Sequence, residues 1–207
     1  MRLILIMARV YCTKCHRLEN LCLCSALPEL DNQVELAFLQ HPLEQNQVKG
    51  TAWLTHASLS QSHFLVGEQF SSDELSNLIH NKHTFLLYPA SEEESVTTYS
   101  AEQVREQFPL KDCRVLILDG TWKKTRKMLY LNPELAALPR IMLQPQQPSE
   151  YSIRKQKNAQ TLSTLEAVMA LLSELEQSKQ YQGLQNVMDA LVRQHQACVE
   201  TGKGLEG

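Results

Sequence analysis

Five short apolar runs, separated by stretches of helical pattern, constrain this chain more than any other feature. They are Val34–Leu39, His63–Val66, Thr84–Tyr88, Arg114–Leu118 and Arg140–Leu143. Each has the length of a buried strand and ends at a polar or proline-bearing break. Thr51 to Leu59, Asp73 to Ile79 behind a capping Ser72, and the stretch from Ser100 to Phe108 read as helices, and helix resumes near Thr121. Strands alternating with helices predict an α/β fold with a parallel-rich sheet and flanking helices. The C-terminal third follows a polar loop, Gln144 to Gln160, in which Pro145 and Pro148 forbid regular structure. Leu162, Leu165, Val168, Met169, Leu172 and Leu175 keep a 3.6-residue stripe there, and Ser163-x-x-Glu166 has the form of a capping box. A second helix places Leu184, Val187, Met188, Leu191 and Val192 on one side. At 207 residues the chain suffices for one generous core.

The fourth apolar run ends on Asp119-Gly120-Thr121-Trp122, followed by Lys123, Lys124, Arg126 and Lys127. The carboxyl ends of parallel strands are where open α/β sheets bind ligands. A carboxylate there, beside a stacking-competent tryptophan and cations, suits a nucleotide and its phosphates. The plain alternative is a strand end, a turn, a core tryptophan and a solvated charge run. Asp119 itself can accept a proton, orient a cationic group, or cap the following helix.

Charge resolved along the chain supports a polyanionic partner. The net charge is −3, yet residues 111–157 hold ten Lys/Arg against four acids, while residues 68–110 hold eight acids against two bases. Lys123, Lys124, Arg126, Lys127, Arg154, Lys155 and Lys157 are the cations expected to meet nucleic-acid phosphates.

Four cysteines crowd into Cys12-x2-Cys15-x6-Cys22-x-Cys24. A C-x2-C turn delivers two thiolates from one knuckle, and two further sulfurs complete a tetrahedral structural zinc site. Free thiols and a disulfide pair are the alternatives, the latter disfavoured in a reducing compartment. His16 can stand in for a sulfur or face solvent. Cys113 and Cys198 read as small buried apolar residues. The expected organisation is a zinc-binding knuckle over 1–30 and a larger domain over 31–207. Met1–Val10 is apolar but too short to span a bilayer, is interrupted by Arg9, and lacks a cleavage site. A cytoplasmic protein without a membrane partner is expected.

There is no G-x-G-x-x-G, G-x-x-x-x-G-K-[ST], G-x-S-x-G or H-E-x-x-H. A Rossmann dinucleotide site, a P-loop, a hydrolase elbow and a zincin helix are therefore set aside.

Several segments together resemble the DTW-domain family. They are Asp119-Gly120-Thr121-Trp122, the cysteine cluster, Leu87-Tyr88-Pro89-Ala90, Trp122-x3-Arg126-Lys127-Met128, Tyr151-x2-Arg154 and Ser163-Thr164-x-Glu166-Ala167. The chain departs from the family pattern at Gly50-Thr51, where Asn-Thr is usual, and at Thr125, where alanine is usual. The resemblance implies a SPOUT-like domain with a C-terminal knot. It also implies transfer of the 3-amino-3-carboxypropyl group of S-adenosylmethionine to N3 of a tRNA uridine, releasing methylthioadenosine.

On that reading three loops at strand ends form the pocket for S-adenosylmethionine, contributing Tyr88 and Pro89, Asp119 and Gly120, and Leu143 with Tyr151. Ser163 and Thr164 add hydroxyls and amides at a helix start for the donor's carboxylate. Asp119, Thr121 and Trp122 are the candidate catalytic residues, and Glu166 is assigned to the helix cap. Two rival readings stand beside it. A SPOUT RNA methyltransferase would use the same donor but attack its methyl carbon, and a zinc-knuckle RNA-binding module would do no chemistry.

Overall fold

Alternation within the strands decides which layer each helix joins. The computed structural model describes residues 10–45, 47–89, 95–143 and 162–200. Six strands are present among them: β1 Glu35–Gln40, β2 Ser62–Val66, β3 His83–Leu87, β4 Thr98–Tyr99, β5 Cys113–Asp119 and β6 Arg140–Ile141. They form one sheet in the order β2-β1-β5-β3-β6-β4, with every pairing parallel. The expected α/β architecture is therefore present.

The central strands are buried on both sides, which is why they read as continuous apolar runs. Leu36 and Phe38 of β1, with Val115 and Ile117 of β5, face one core. Ala37 and Leu39, with Leu116, face the other. The first core is closed by α1 Ala52–His56, α3 Ala101–Gln107, α6 Thr164–Glu176 and α7 Leu184–Glu200. The second is closed by α2 Ser72–Ile79, α4 Trp122–Leu131 and α5 Pro133–Ala136.

Capping chemistry sets where three helices begin. Ser71, Ser100 and Ser163 each accept from the amide three residues on, and Glu74, Gln103 and Glu166 return a bond to the cap's own amide. The cap of α2 is thus Ser71 and not Ser72, which is the first helical residue. Two strand expectations also shift. β6 stops at Ile141 instead of running to Leu143, and β4 is a two-residue edge strand outside the five apolar runs. Cys113 is buried as expected, whereas Cys198 is only half-buried.

The cysteine segment folds onto the first core through Cys15, Leu23, Leu27 and Leu30. Arg17 fixes it further, donating to the carbonyls of Leu21 (3.0 Å) and Val48 (2.8 Å) and to Gln194 of α7 (2.6 Å). No helix among the described residues is long and apolar enough to cross a membrane.

Candidate active site and metal centre

Because all strands run parallel, the loops that follow β1, β5, β3 and β6 emerge along one edge of the sheet. Asp119 is the last residue of β5 and lies opposite Gln40, the last of β1. It is buried, with 6% exposure. One carboxylate oxygen accepts from Gln40 Nε2 at 2.9 Å and the other from the Thr164 hydroxyl at 2.6 Å. Both partners are neutral, and Asp119 has no cationic partner among the described residues. The carboxylate does not cap α4. The cap position belongs to Thr121, and no side chain accepts from that helix start. The start of α4 thus has no side-chain cap among the described residues, unlike those of α2, α3 and α6.

Gly120 lets this turn pass close to its neighbours. A Cβ there would sit 3.3 Å from Lys124 Cβ and 3.6 Å from His41 Cβ. The adjoining wall is aromatic. Trp122 is 53% exposed and meets the Tyr88 ring edge-on, with centroids 5.6 Å apart. The Tyr88 hydroxyl lies 3.3 Å from the Thr125 hydroxyl, so the departure from alanine at Thr125 supplies Tyr88 with a polar neighbour. Beneath Tyr88, the fully buried Arg140 guanidinium stands 5.8 Å from the ring centroid and donates to the carbonyls of Leu135 and Ala136. Pro89 is exposed, and Leu143 is partly buried against the first core. Tyr151 lies outside the described residues, as do Arg154, Lys155 and Lys157.

The start of α6 is spent internally. Ser163 and Glu166 close the capping box on each other, the Leu165 amide donates to the Thr51 hydroxyl at 3.3 Å, and the Thr164 hydroxyl is held by Asp119. Of the two hydroxyls expected to meet a ligand's carboxylate, that of Thr164 donates to Asp119, while that of Ser163 accepts the Glu166 amide and donates to no group among the described residues. Thr51 itself is fully buried, so the residue following Gly50 serves as a strut for α6.

The cations after Trp122 divide into two kinds. Lys124 is paired with Glu44 at 2.7 Å, and Lys127 with Glu68 at 2.8 Å. The second oxygen of Glu68 accepts from His41 Nε2 at 2.9 Å, while His41 Nδ1 accepts the Leu43 amide. Hydrogen bonds from Lys127 and His41 hold the Glu68 carboxyl below its ordinary range. Lys123 and Arg126 are exposed and make no ion pair among the described residues. Local charge counting could not separate the two kinds. Gln40, His41, Glu68 and Arg140 are not singled out as site residues by the sequence either. The signal available for the first two was the polar Gln40-His41-Pro42 closing an apolar strand.

The four clustered cysteines converge. Their sulfurs all lie within 4.8 Å of one another, with Cys12–Cys24 at 3.4 Å and Cys15–Cys22 at 3.7 Å. Tetrahedral zinc with Zn–S near 2.3 Å wants sulfurs roughly 3.8 Å apart. The Cys12 thiol is lowered to about 6 by the backbone amides of Cys15 and Lys14 and by Cys24, whereas burial and its sulfur neighbours push Cys24 up to about 12. A divalent cation would let all four ionise together, so the donor set fits one. His16 is not among the ligands. Its backbone is left-handed (φ 54°), and its ring stacks on Trp53 at 3.7 Å, while Trp53 donates to the Lys14 carbonyl.

The pattern that unites the Asp119 edge, the aromatic wall and the cysteine segment recurs in other proteins. A DTW domain family model matches residues 9–196, which take in all three. A tRNA-uridine aminocarboxypropyltransferase 2 from Macaca fascicularis is 32% identical over 181 residues, covering 84% of this chain and 59% of that protein. The proteins of the same name from Mus musculus and Drosophila melanogaster are each 30% identical, over 82% and 80% of this chain and 58% and 66% of their own lengths. The chain thus spans about three-fifths of the length of the curated relatives it matches. No solved structure matches it. With the matched segment running from the first cysteine through the sheet into α7, this chain belongs to the DTW domain family.

Proposed function

We propose that the carboxyl edge of the sheet transfers the 3-amino-3-carboxypropyl group of S-adenosylmethionine to N3 of a tRNA uridine. The observation that carries this reading is Asp119, a buried carboxylate held by two neutral donors at the end of a central parallel strand. The donor molecule brings a sulfonium and an ammonium, and a carboxylate not already neutralised by a protein cation suits either. The names of the relatives point the same way, since each is a tRNA-uridine aminocarboxypropyltransferase.

When bound, the sulfonium makes methylthioadenosine a good leaving group as N3 bonds to the γ-carbon. The protein's task is mainly to orient and to accept or pass on the N3 proton. Each Asp119 oxygen accepts one hydrogen bond and keeps a lone pair, so the carboxylate can take the N3 proton without displacing Gln40 or Thr164. We assign Asp119 to accepting that proton and to facing the donor's cationic groups. Thr121, exposed at the uncapped start of α4, is the neighbouring hydroxyl on hand to pass the proton to solvent. Trp122 stacks the uridine or the adenine. Tyr88, Pro89, Gly120, Leu143 and Tyr151 line the pocket, and the uncapped α4 amides take the donor's carboxylate. Lys123 and Arg126, with Arg154, Lys155 and Lys157, meet RNA phosphates, while Lys124 and Lys127 hold Glu44 and Glu68.

The domain is assigned to the SPOUT class with a C-terminal knot, as the family resemblance implies. The 1–30 segment is a knuckle on which Cys12, Cys15, Cys22 and Cys24 hold structural zinc. Four sulfurs leave no open position for a nucleophile. Near-stoichiometric zinc is expected by elemental analysis of protein purified without chelator, and metal-free protein contradicts that assignment.

Nucleoside mass spectrometry of tRNA from cells with and without the gene tests the whole reading. A 3-(3-amino-3-carboxypropyl)uridine peak that disappears with the gene supports it. A lost methylated nucleoside favours the methyltransferase reading, and unchanged tRNA favours the binding module.

A further inference from the structure

The exposed ridge of α4 carries an ordering of side chains that the transfer reaction does not itself require. Trp122, Arg126 and Tyr130 follow one another at four-residue steps and so lie along one ridge of the helix. All three are exposed, Tyr130 to 84% and Trp122 to 53%. A lone exposed aromatic needs no explanation, but two that flank a cation on one ridge do. Eight residues at 1.5 Å span about 12 Å, and the ridge begins where Trp122 meets Tyr88 at the carboxyl edge. Charge indicates the partner. α4 holds Lys123, Lys124, Arg126 and Lys127 and no acid. The pairs to Glu44 and Glu68 neutralise Lys124 and Lys127 only, leaving Lys123 and Arg126 unpaired among the described residues.

We propose that this ridge is a stacking platform for unpaired nucleotides next to the acceptor uridine, with a base on Tyr130 and the adjoining phosphate on Arg126. The proposal rests on the tRNA reading above for the identity of the RNA. Bases stack on protein aromatics only when splayed out of a helix. Uridine N3 is likewise occupied in a base pair, so the acceptor and its neighbours are expected to come from a loop.

The test is binding rather than turnover, which keeps it separable from the transfer reaction. Full-length wild type, Tyr130→Ala, Tyr130→Phe and Arg126→Ala would be titrated with an unstructured uridine-rich RNA oligonucleotide and with a blunt RNA duplex of equal length. Circular dichroism is expected to be unchanged for substitutions at such exposed sites. Tyr130→Ala should weaken single-strand binding roughly tenfold, as one lost base stack does, with Tyr130→Phe restoring it and the duplex unaffected. Arg126→Ala should reduce the slope of log affinity against log salt by about 0.7 for the single strand. Equal single-strand affinity in wild type and Tyr130→Ala overturns the proposal even if transfer to tRNA is found. A Tyr130→Ala protein that loses self-association in sedimentation while keeping its RNA affinity overturns it in favour of a protein contact. Loss of single-strand affinity in a protein with no transfer activity leaves the platform standing and removes the enzyme reading alone.

Discussion

The same two strands, β1 and β5, are paired by an acid at each end, and the two acids have opposite surroundings. At the amino end Glu35 lies opposite Arg114, and at the carboxyl end Gln40 lies opposite Asp119. Glu35 accepts from Arg114, from Lys82 at 2.8 Å and from His63 at 3.1 Å, and Arg114 also donates to the carbonyls of Asn77 and Leu78 that end α2. Burial alone would raise the Glu35 carboxyl, but hydrogen bonds from Lys82 and Arg114 more than offset it and hold it below its ordinary range. The two buried charges at that edge, Glu35 and Arg114, are matched to each other. At the other edge Asp119 meets an amide and a hydroxyl, and the nearby Lys124 and Lys127 are matched to Glu44 and Glu68 instead. The amino edge is built as a clamp, whereas the buried anion of the carboxyl edge meets only neutral groups among the described residues.

Substitution at Asp119 should separate the two edges most widely. Asp119→Asn is isosteric, and the Gln40 amide can flip or the Thr164 hydroxyl rotate to satisfy the new NH2. Stability should therefore change by only about 1 kcal/mol, while turnover falls about 10²–10⁴-fold, the range for a lost catalytic carboxylate. Steady-state release of methylthioadenosine beside a thermal melt measures both. Arg114→Met should do the reverse. It leaves Glu35 with Lys82 and His63 but strips it of its buried partner and leaves the Asn77 and Leu78 carbonyls without their donor, and should destabilise by about 1–3 kcal/mol, with turnover per folded molecule unchanged in denaturant-calibrated assays. Thr164→Val removes one donor from the Asp119 carboxylate while keeping the shape of the side chain. About tenfold lower turnover is expected, from the roughly 1.5–3 kcal/mol of a hydrogen bond to a charged group, and Thr164→Ser should recover it.

The smallest effect is the pH dependence of stability, which belongs to the amino edge and the first core. His56 packs against Phe38, Trp53 and Phe64, and burial followed by the His63 and His16 charges lowers its pKa below 6.5. A lowered histidine gives stability that is fully present above the unfolded value and is lost as pH falls through the folded one. Glu35, also lowered, adds a second loss beginning below about 4.5. Chemical denaturation between pH 7 and 4 should therefore show stability declining from about pH 6.5 downward. A flat profile over this range would contradict the His56 contribution, and one that stays flat well below pH 4.5 that of Glu35.

How much of this was legible depends on the range of each interaction. β1, β3 and β5 are buried on both faces, so their apolar runs alone marked them. Ser100 and Ser163 announced their helices because a capping box is written within four residues. Asp119 stood out because a lone acid closes an apolar run. Its partners did not, since Gln40 is 79 residues away and Thr164 is 45. The pairing of Lys124 and Lys127 was hidden for the same reason, as Glu44 and Glu68 follow other strands. β4 is two residues long and carries no periodicity to read.

The by-product decides whether the edge bearing Asp119 moves an aminocarboxypropyl group or a methyl group. Purified protein would be incubated with S-adenosylmethionine and tRNA, and the two possible nucleoside by-products separated by chromatography. Methylthioadenosine in an amount equal to the modified uridine, and absent from the Asp119→Asn reaction, is the predicted result. S-adenosylhomocysteine in its place, or methylthioadenosine released equally by both proteins, would contradict it.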